Sequence, residues 1–246
     1  MITRLKSCLG LLLLMLLWEI APRVGLVRMD ILPPLSRIFI AWLGLASSGE
    51  LWTHGVISLF RAFSGAAIAI VVGTVLGVAM AASAPVRIFF RPLMEALYPI
   101  PKSALIPITA LWLGLGNASQ ITLIALGCIL PVAVGAYNGA RGCERVLIWS
   151  GRALGAGKMR TLVDIVVPSA LPELLSGIRT ALALCLVLLV SSELIVSKNG
   201  LGYLIGFLGG SGIYDAMFAA VLTIAIFGLI VDRLFLRYIR WVLSWQ

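Results

Sequence analysis

Lys158, in the run RALGAGKM from Arg152 to Met159, is the residue whose setting comes nearest to a chemical site. A Gly-rich loop ending in Lys can cradle phosphates, because bare backbone N–H groups and an ammonium converge on the anion. That chemistry requires Gly six residues before the Lys and Ser or Thr after it, and Arg152 and Met159 stand in those places. The comparison fails, so any nucleotide chemistry would have to come from a partner. Metal chemistry fares no better. The single histidine, His54, sits just before an apolar run, as a surface or interface residue. Cys8, Cys128, Cys143 and Cys185 are scattered, with neither a C-x-x-C pair nor a His at ligand spacing. They read as small apolar packing residues. A membrane enzyme would need converging His, Asp and Glu at depth, which the chain lacks, so no catalytic or metal-ligating residue is assigned.

What remains are isolated charges inside apolar runs. Glu95 and Lys102, seven residues apart, fall on roughly one face of a helix, and Arg179, Ser192 and Glu193 lie along another run. A charge at such depth marks either a pathway or a structural ion pair. These five are the candidate pathway residues, with Ser192 and Glu193 at an external gate. Arg61 has two readings: it snorkels, or it pairs with a carboxylate.

The elements that must position these groups follow from composition. Of the 246 residues, 61% are hydrophobic and 12% charged, and the mean hydropathy is +1.09. This is an integral membrane protein, with length for about six spans of ~20 residues and no room for a soluble catalytic domain. The net charge of +9 reads as basic cytoplasmic loops and not as a nucleic-acid surface.

Arg4 and Lys6 precede LGLLLLMLLWEIA, an apolar run with no small-x-small cleavage site after it, so an uncleaved first span is expected. Residues 23–51 read as an extracytoplasmic loop with one short amphipathic helix. Span two, about Val56–Ser83, carries Gly65, Ala69, Gly73 and Gly77 as a stripe for close helix approach, within the subunit or across a dimer. Span three, about Arg87–Leu115, contains Pro92, Pro99, Pro101 and Pro107; such a broken span is tolerated only where protein or a watery cavity satisfies the freed backbone. Spans four to six follow at about Ser119–Gly139, Leu171–Ser192 and Tyr214–Phe235. Trp18, Trp241 and Trp245 suit the interfacial belts. With the N-terminus inside, most Lys and Arg fall on the cytoplasmic side, including Arg87, Arg91, Arg141, Arg145, Arg152, Lys158, Arg160, Arg237 and Arg240.

The basic loop joining spans four and five carries the most specific pattern. Two short helices meeting at Gly155, where Gly tolerates a turn that other residues resist, would form a compact knob, and Pro168 and Pro172 would end its second helix and begin span five. The alternative is an amphipathic helix on anionic lipid, with Arg145, Arg152 and Arg160 as phosphate contacts. The stretch resembles the EAA motif of the inner-membrane permease subunits of binding-protein-dependent ABC importers. Gly155 matches the motif Gly, and Ile165-Val166-Val167-Pro168 its closing segment. Arg152, Leu154, Gly155 and Ala156 match the branch that handles sulfonate, taurine, nitrate and thiamine-precursor substrates. SLFRAFSG (58–65), IPKSALIPITALWLGLG (100–116), PSALPELLSGIR (168–179) and GLGYLI (200–205) are similar to that branch, in its order. Trp149, Ser150 and Gly151 stand where the family has Glu-Ala-Ala, so the acidic contact is missing.

The resemblance implies a type I ABC importer permease (MetI-like) fold. An N-terminal helix and loop would occupy residues 1–52, and the permease domain 53–240, with a coupling helix at about 146–166. It implies ATPase docking through Arg152, Ala153, Leu154, Gly155, Ala156, Gly157, Asp164 and Pro168. It implies a bacterial inner-membrane location with both termini cytoplasmic, two ABC ATPase subunits carrying ATP and Mg, and a second permease copy. An extracytoplasmic substrate-binding protein would deliver a small solute, often an anion. The rival class is a secondary transporter or channel without an ATPase, which would need inverted repeats; no repeat links the two halves.

Overall fold

The computed structural model describes residues 2–244, with side chains from residue 9 onward. The basic residues Arg4 and Lys6, Cys8 and the belt residue Trp245 therefore lie outside the described side chains. The chain is all-helical: α1 Ile2–Arg23, α2 Leu35–Ser47, α3 Glu50–Ala82, α4 Ala84–Leu97, α5 Ile106–Leu113, α6 Asn117–Gly142, α7 Arg145–Ala153, α8 Lys158–Thr161, α9 Val167–Val196, α10 Leu201–Gly210 and α11 Tyr214–Val242. A 3-10 turn, Lys102–Leu105, leads into α5, and a π turn, Leu162–Val166, joins α8 to α9.

Among the described residues, α3, α6, the run Lys158–Val196 and α11 are long and apolar enough to cross a membrane, and α4 with α5 makes a fifth span bent by 98°. The expected six is reached only with α1, a 22-residue helix whose first side chains are not described. The break in the third span comes at Pro99 and Pro101. Pro92 is carried inside α4, and Pro107 occupies the first turn of α5, where a missing N–H costs nothing. Because the axis turns between them, Glu95 on α4 and Lys102 beyond the break do not share a helix face, contrary to the sequence reading. Lys102 instead donates from Nζ to the carbonyls of Leu97 and Ile100, groups that the end of α4 leaves without helical partners.

A second correction concerns Pro168. It does not end a helix: α8, the π turn and α9 form one continuous run of 39 residues. Pro168 lies in the first turn of α9, just after the π turn, and the Ser169 hydroxyl donates to the Ile165 carbonyl at 2.7 Å. A π turn widens the backbone by one residue, which makes room for a ring that would clash in a regular helix. Pro172 is likewise carried inside α9.

The chain packs as two compact units. The first comprises residues 1–58 and 198–227. Its core joins Leu51, Leu201, Leu204, Leu208, Ala216 and Ala220, with Trp42 and Leu45 of α2 against them. Glu19 accepts the Ser36 N–H at 3.1 Å and so neutralises the start of α2. The Ser58 hydroxyl accepts the Leu201 N–H at 2.8 Å, and His54 Nδ1 accepts the Gly200 N–H at 3.0 Å. His54 is thus occupied at the start of α10, a helix that the sequence reading did not assign.

The second unit comprises residues 59–197 and 228–246 and is built on α6. The buried face of α3 recurs at Ala62, Ala66, Ala69, Gly73, Gly77 and Met80, a three-four spacing that marks one helix side. The Gly stripe serves contact inside the subunit. A Cβ on Gly73 would lie 2.9 Å from the Ile129 carbonyl oxygen, and one on Gly65 would lie 2.7 Å from Ile124 Cβ. On its other side α6 meets α9 as closely: a Cβ on Gly135 would lie 2.7 Å from the Glu173 carbonyl oxygen and 3.0 Å from Gly177 Cα. Without hydrophobic drive between helices in lipid, such approach is what holds a bundle together.

Candidate functional site: an exposed knob, a buried ion pair and a cavity

The knob begins where α6 ends at Gly142. α7 closes in a Schellman turn: the Ala156 N–H donates to the Gly151 carbonyl at 3.0 Å and the Gly155 N–H to the Arg152 carbonyl at 2.9 Å. Gly155 takes φ +86°, the left-handed region where a Cβ is penalised. Gly157 then precedes α8, and the Thr161 hydroxyl donates to its carbonyl at 3.0 Å. A Cβ on Gly151 would run into the Ile165 side chain, so α7 lies directly on the π turn. The outer surface is bare: Leu154 is 89% exposed, and Met159 and Trp149 are exposed too. Three exposed apolar side chains thus stand on one short segment. Arg152, Ala153, Gly155, Gly157, Asp164 and Pro168 are exposed and Ala156 half-buried. Asp164 holds Arg160 at 3.2 Å, one turn away. Arg152 and Lys158 line a recess of about 560 Å³ floored by Ala81, Ala82 and Ala140.

The other candidate residues divide sharply. Glu193 is fully buried, and its carboxylate accepts from Arg61 Nη1 at 2.8 Å; Arg61 is 2% exposed. The same guanidinium donates from Nε to Asn117 Oδ1 at 2.8 Å and from Nη1 to the Ser197 hydroxyl at 3.2 Å. Of the two readings of Arg61, the pairing is the one realised. Ser192 is buried with its hydroxyl donated to the Leu189 carbonyl at 2.9 Å. Both gate candidates are thus engaged inside the bundle. Gln120, one turn beyond Asn117, is 1% exposed with neither amide atom partnered. Arg179 pairs with Asp232 of α11 at 2.8 Å.

Glu95 has a different setting. It pairs with Arg91, one turn earlier on α4, at 2.8 Å, and both side chains are about two-thirds exposed (65% and 64%). The pair lines an open cavity of about 460 Å³ with Tyr98, Tyr137 and Asn138 and the apolar Met80, Met94, Leu130 and Val134. Lys102 lines a separate, apolar recess with Trp112 and Phe90. In sequence Arg91 counts among the cytoplasmic-side cations at the start of span three, and no pattern singles out Tyr98, Tyr137 or Asn138. The i,i+4 spacing of Arg91 and Glu95 was the available signal. Among the described residues, no group of three or more His, Cys, Asp or Glu could hold a metal ion.

Comparison with known proteins agrees with this construction. Residues 69–243 match the family model for the binding-protein-dependent transport system inner membrane component. The taurine transport system permease protein TauC of Escherichia coli (strain K12) is 31% identical over 224 residues, covering 89% of this chain and 82% of its own. A Bacillus subtilis (strain 168) protein, SsuC, described as a candidate aliphatic sulfonates transport permease, is 31% identical over 230 residues, covering 94% and 83%. Among solved structures, a chain of the MetNI methionine ABC transporter in an inward-facing conformation superposes with a TM-score of 0.64 at 22% identity, over 78% of this chain and 94% of that one. That likeness carries the fold, a type I permease bundle. By its sequence this chain belongs to the inner-membrane permease components of binding-protein-dependent ABC importers, whose ATPase activity resides in partner subunits.

Proposed function

We propose that this multi-pass permease carries a small sulfonate, taurine-like or related solute through a pathway shared with a second copy or a similar subunit. Two ATPase subunits dock on the knobs around Gly155. ATP and magnesium are handled in those partners, since Arg152 and Met159 break the phosphate-loop pattern here. An extracytoplasmic binding protein presents the solute and supplies most of the selection. Both termini and the knob face the cytoplasm, which the clustering of Arg141, Arg145, Arg152, Lys158, Arg160, Arg237 and Arg240 supports.

The observation that carries this reading is the union of a bare tip with an unbroken helix. Leu154 projects at 89% exposure, and the chain beyond Gly157 runs without interruption from Lys158 to Val196 through the centre of the second unit. α7 packs on the start of that helix through Gly151 and Ile165, so movement of a docked partner reaches it across a close contact, which is gating by rigid-body shift. The substrate assignment draws its support from the names of TauC and SsuC.

Gly155→Asp tests the docking. No atom lies within 4 Å of the position a Cβ would take, so the bundle does not change. The φ of +86° and the new carboxylate strain the turn, at about 1–3 kcal/mol. The variant inserts normally, hydrolyses ATP through its partners and fails to take up taurine in proteoliposomes holding the full assembly. Uptake at the unmodified rate would overturn the docking role.

A further inference from the structure

We propose that the cavity between α3, α4 and α6 is a recognition site for a small zwitterion, Arg91 taking its anionic end and Glu95 its ammonium. This rests on the importer reading and goes beyond it: the permease itself discriminates by charge pattern. The cavity is lined by one cation and one anion already paired at 2.8 Å. A lone anion entering it gains Arg91 but meets Glu95. A solute bearing both signs replaces each partner with its own opposite charge, so nothing is left uncompensated. The pair is free to open because neither partner is enclosed: both charges sit in exposed positions, where a single pair is weak.

The remaining lining fits the same ligand. Tyr98 and Tyr137 line the cavity, and the Tyr137 ring accepts a cation, since the Arg141 guanidinium lies 5.9 Å from its centre. The Asn138 amide offers a donor and an acceptor. Met80, Met94, Leu130 and Val134 supply apolar walls for a short alkyl link. A volume of about 460 Å³ leaves a short zwitterion partly hydrated, so it is held weakly and released, as a solute in transit must be.

The test uses the full-length permease with its ATPase partners in nanodiscs, without the binding protein. Radiolabelled taurine is the probe, and ethanesulfonate, which lacks the ammonium, is the competitor. Wild type binds taurine saturably, and ethanesulfonate competes about tenfold more weakly. Glu95→Gln closes that gap, Glu95→Asp keeps it, and Arg91→Gln loses taurine binding. Equal competition by the two probes on wild type overturns the proposal without needing any variant. So does an unchanged ratio in Glu95→Gln that still co-elutes with its ATPase. ATP-driven uptake by the complete assembly is scored separately. Uptake without discrimination at the cavity sinks this inference alone, and discrimination without ATP-driven uptake sinks the importer reading alone.

Discussion

Two arginine–glutamate pairs in this protein have the same 2.8 Å separation and opposite surroundings. Arg61–Glu193 is sealed, at 2% and 0% exposure, with Asn117 and Ser197 on the same guanidinium; Arg91–Glu95 is open, at 64% and 65%, in a cavity wall. Distance alone does not separate them, whereas exposure does. Removing two charges from water costs several kcal/mol per ion, recovered only if every donor and acceptor is satisfied, so the sealed pair fixes one arrangement of α3, α6 and α9. In the open pair neither charge is enclosed, so a ligand can replace either partner.

The contrast sets a ranking of outcomes. Glu193→Ala strands a buried guanidinium and lowers stability by about 3–5 kcal/mol, measured by thermal unfolding in detergent, while Arg61→Met with Glu193→Leu recovers most of the loss. A single variant that melts with wild type would show that the pair fixes nothing. Asn117→Ala removes the acceptor of Arg61 Nε and costs about 1.5–3 kcal/mol; a smaller loss would assign the lock to the partners of Arg61 on the α9 side, Glu193 and Ser197. Gln120→Met works in the opposite direction. Its amide atoms are buried without partners, and replacing them by an apolar chain raises stability by about 1 kcal/mol. Last come Arg91→Gln and Glu95→Gln, which leave the melting temperature where it was and change only solute binding. If either unfolds the bundle, the two pairs are alike after all.

Most of the bundle was legible because lipid leaves little choice: α3, α6, α9 and α11 are apolar runs, and backbone groups in hydrocarbon must pair within a helix. The Gly155 turn was legible for a local reason, since only Gly accepts φ +86° without strain. Pro168 misled because its effect depends on the π turn beside it, a one-residue change of register that no spacing announces. The partner of Glu193 was not legible because it lies 132 residues away; a charge near a span end reads the same in sequence whether or not a guanidinium meets it. Glu95 and Lys102 were placed on one face by assuming a straight axis across Pro99 and Pro101, where the chain turns by 98°.

The unbroken stretch from Lys158 to Val196 has 39 residues and so is ~58 Å long, nearly twice the ~30 Å of a hydrocarbon core. A rod of that length works as a lever. Tilting it by only ~5° about one end sweeps the other through ~5 Å, close to one helical turn. The stroke that a partner docked at the knob would have to supply is therefore small, and the weakest point of such a lever is the π turn at Leu162–Val166, where a compliant joint would waste the motion before it reached the far side.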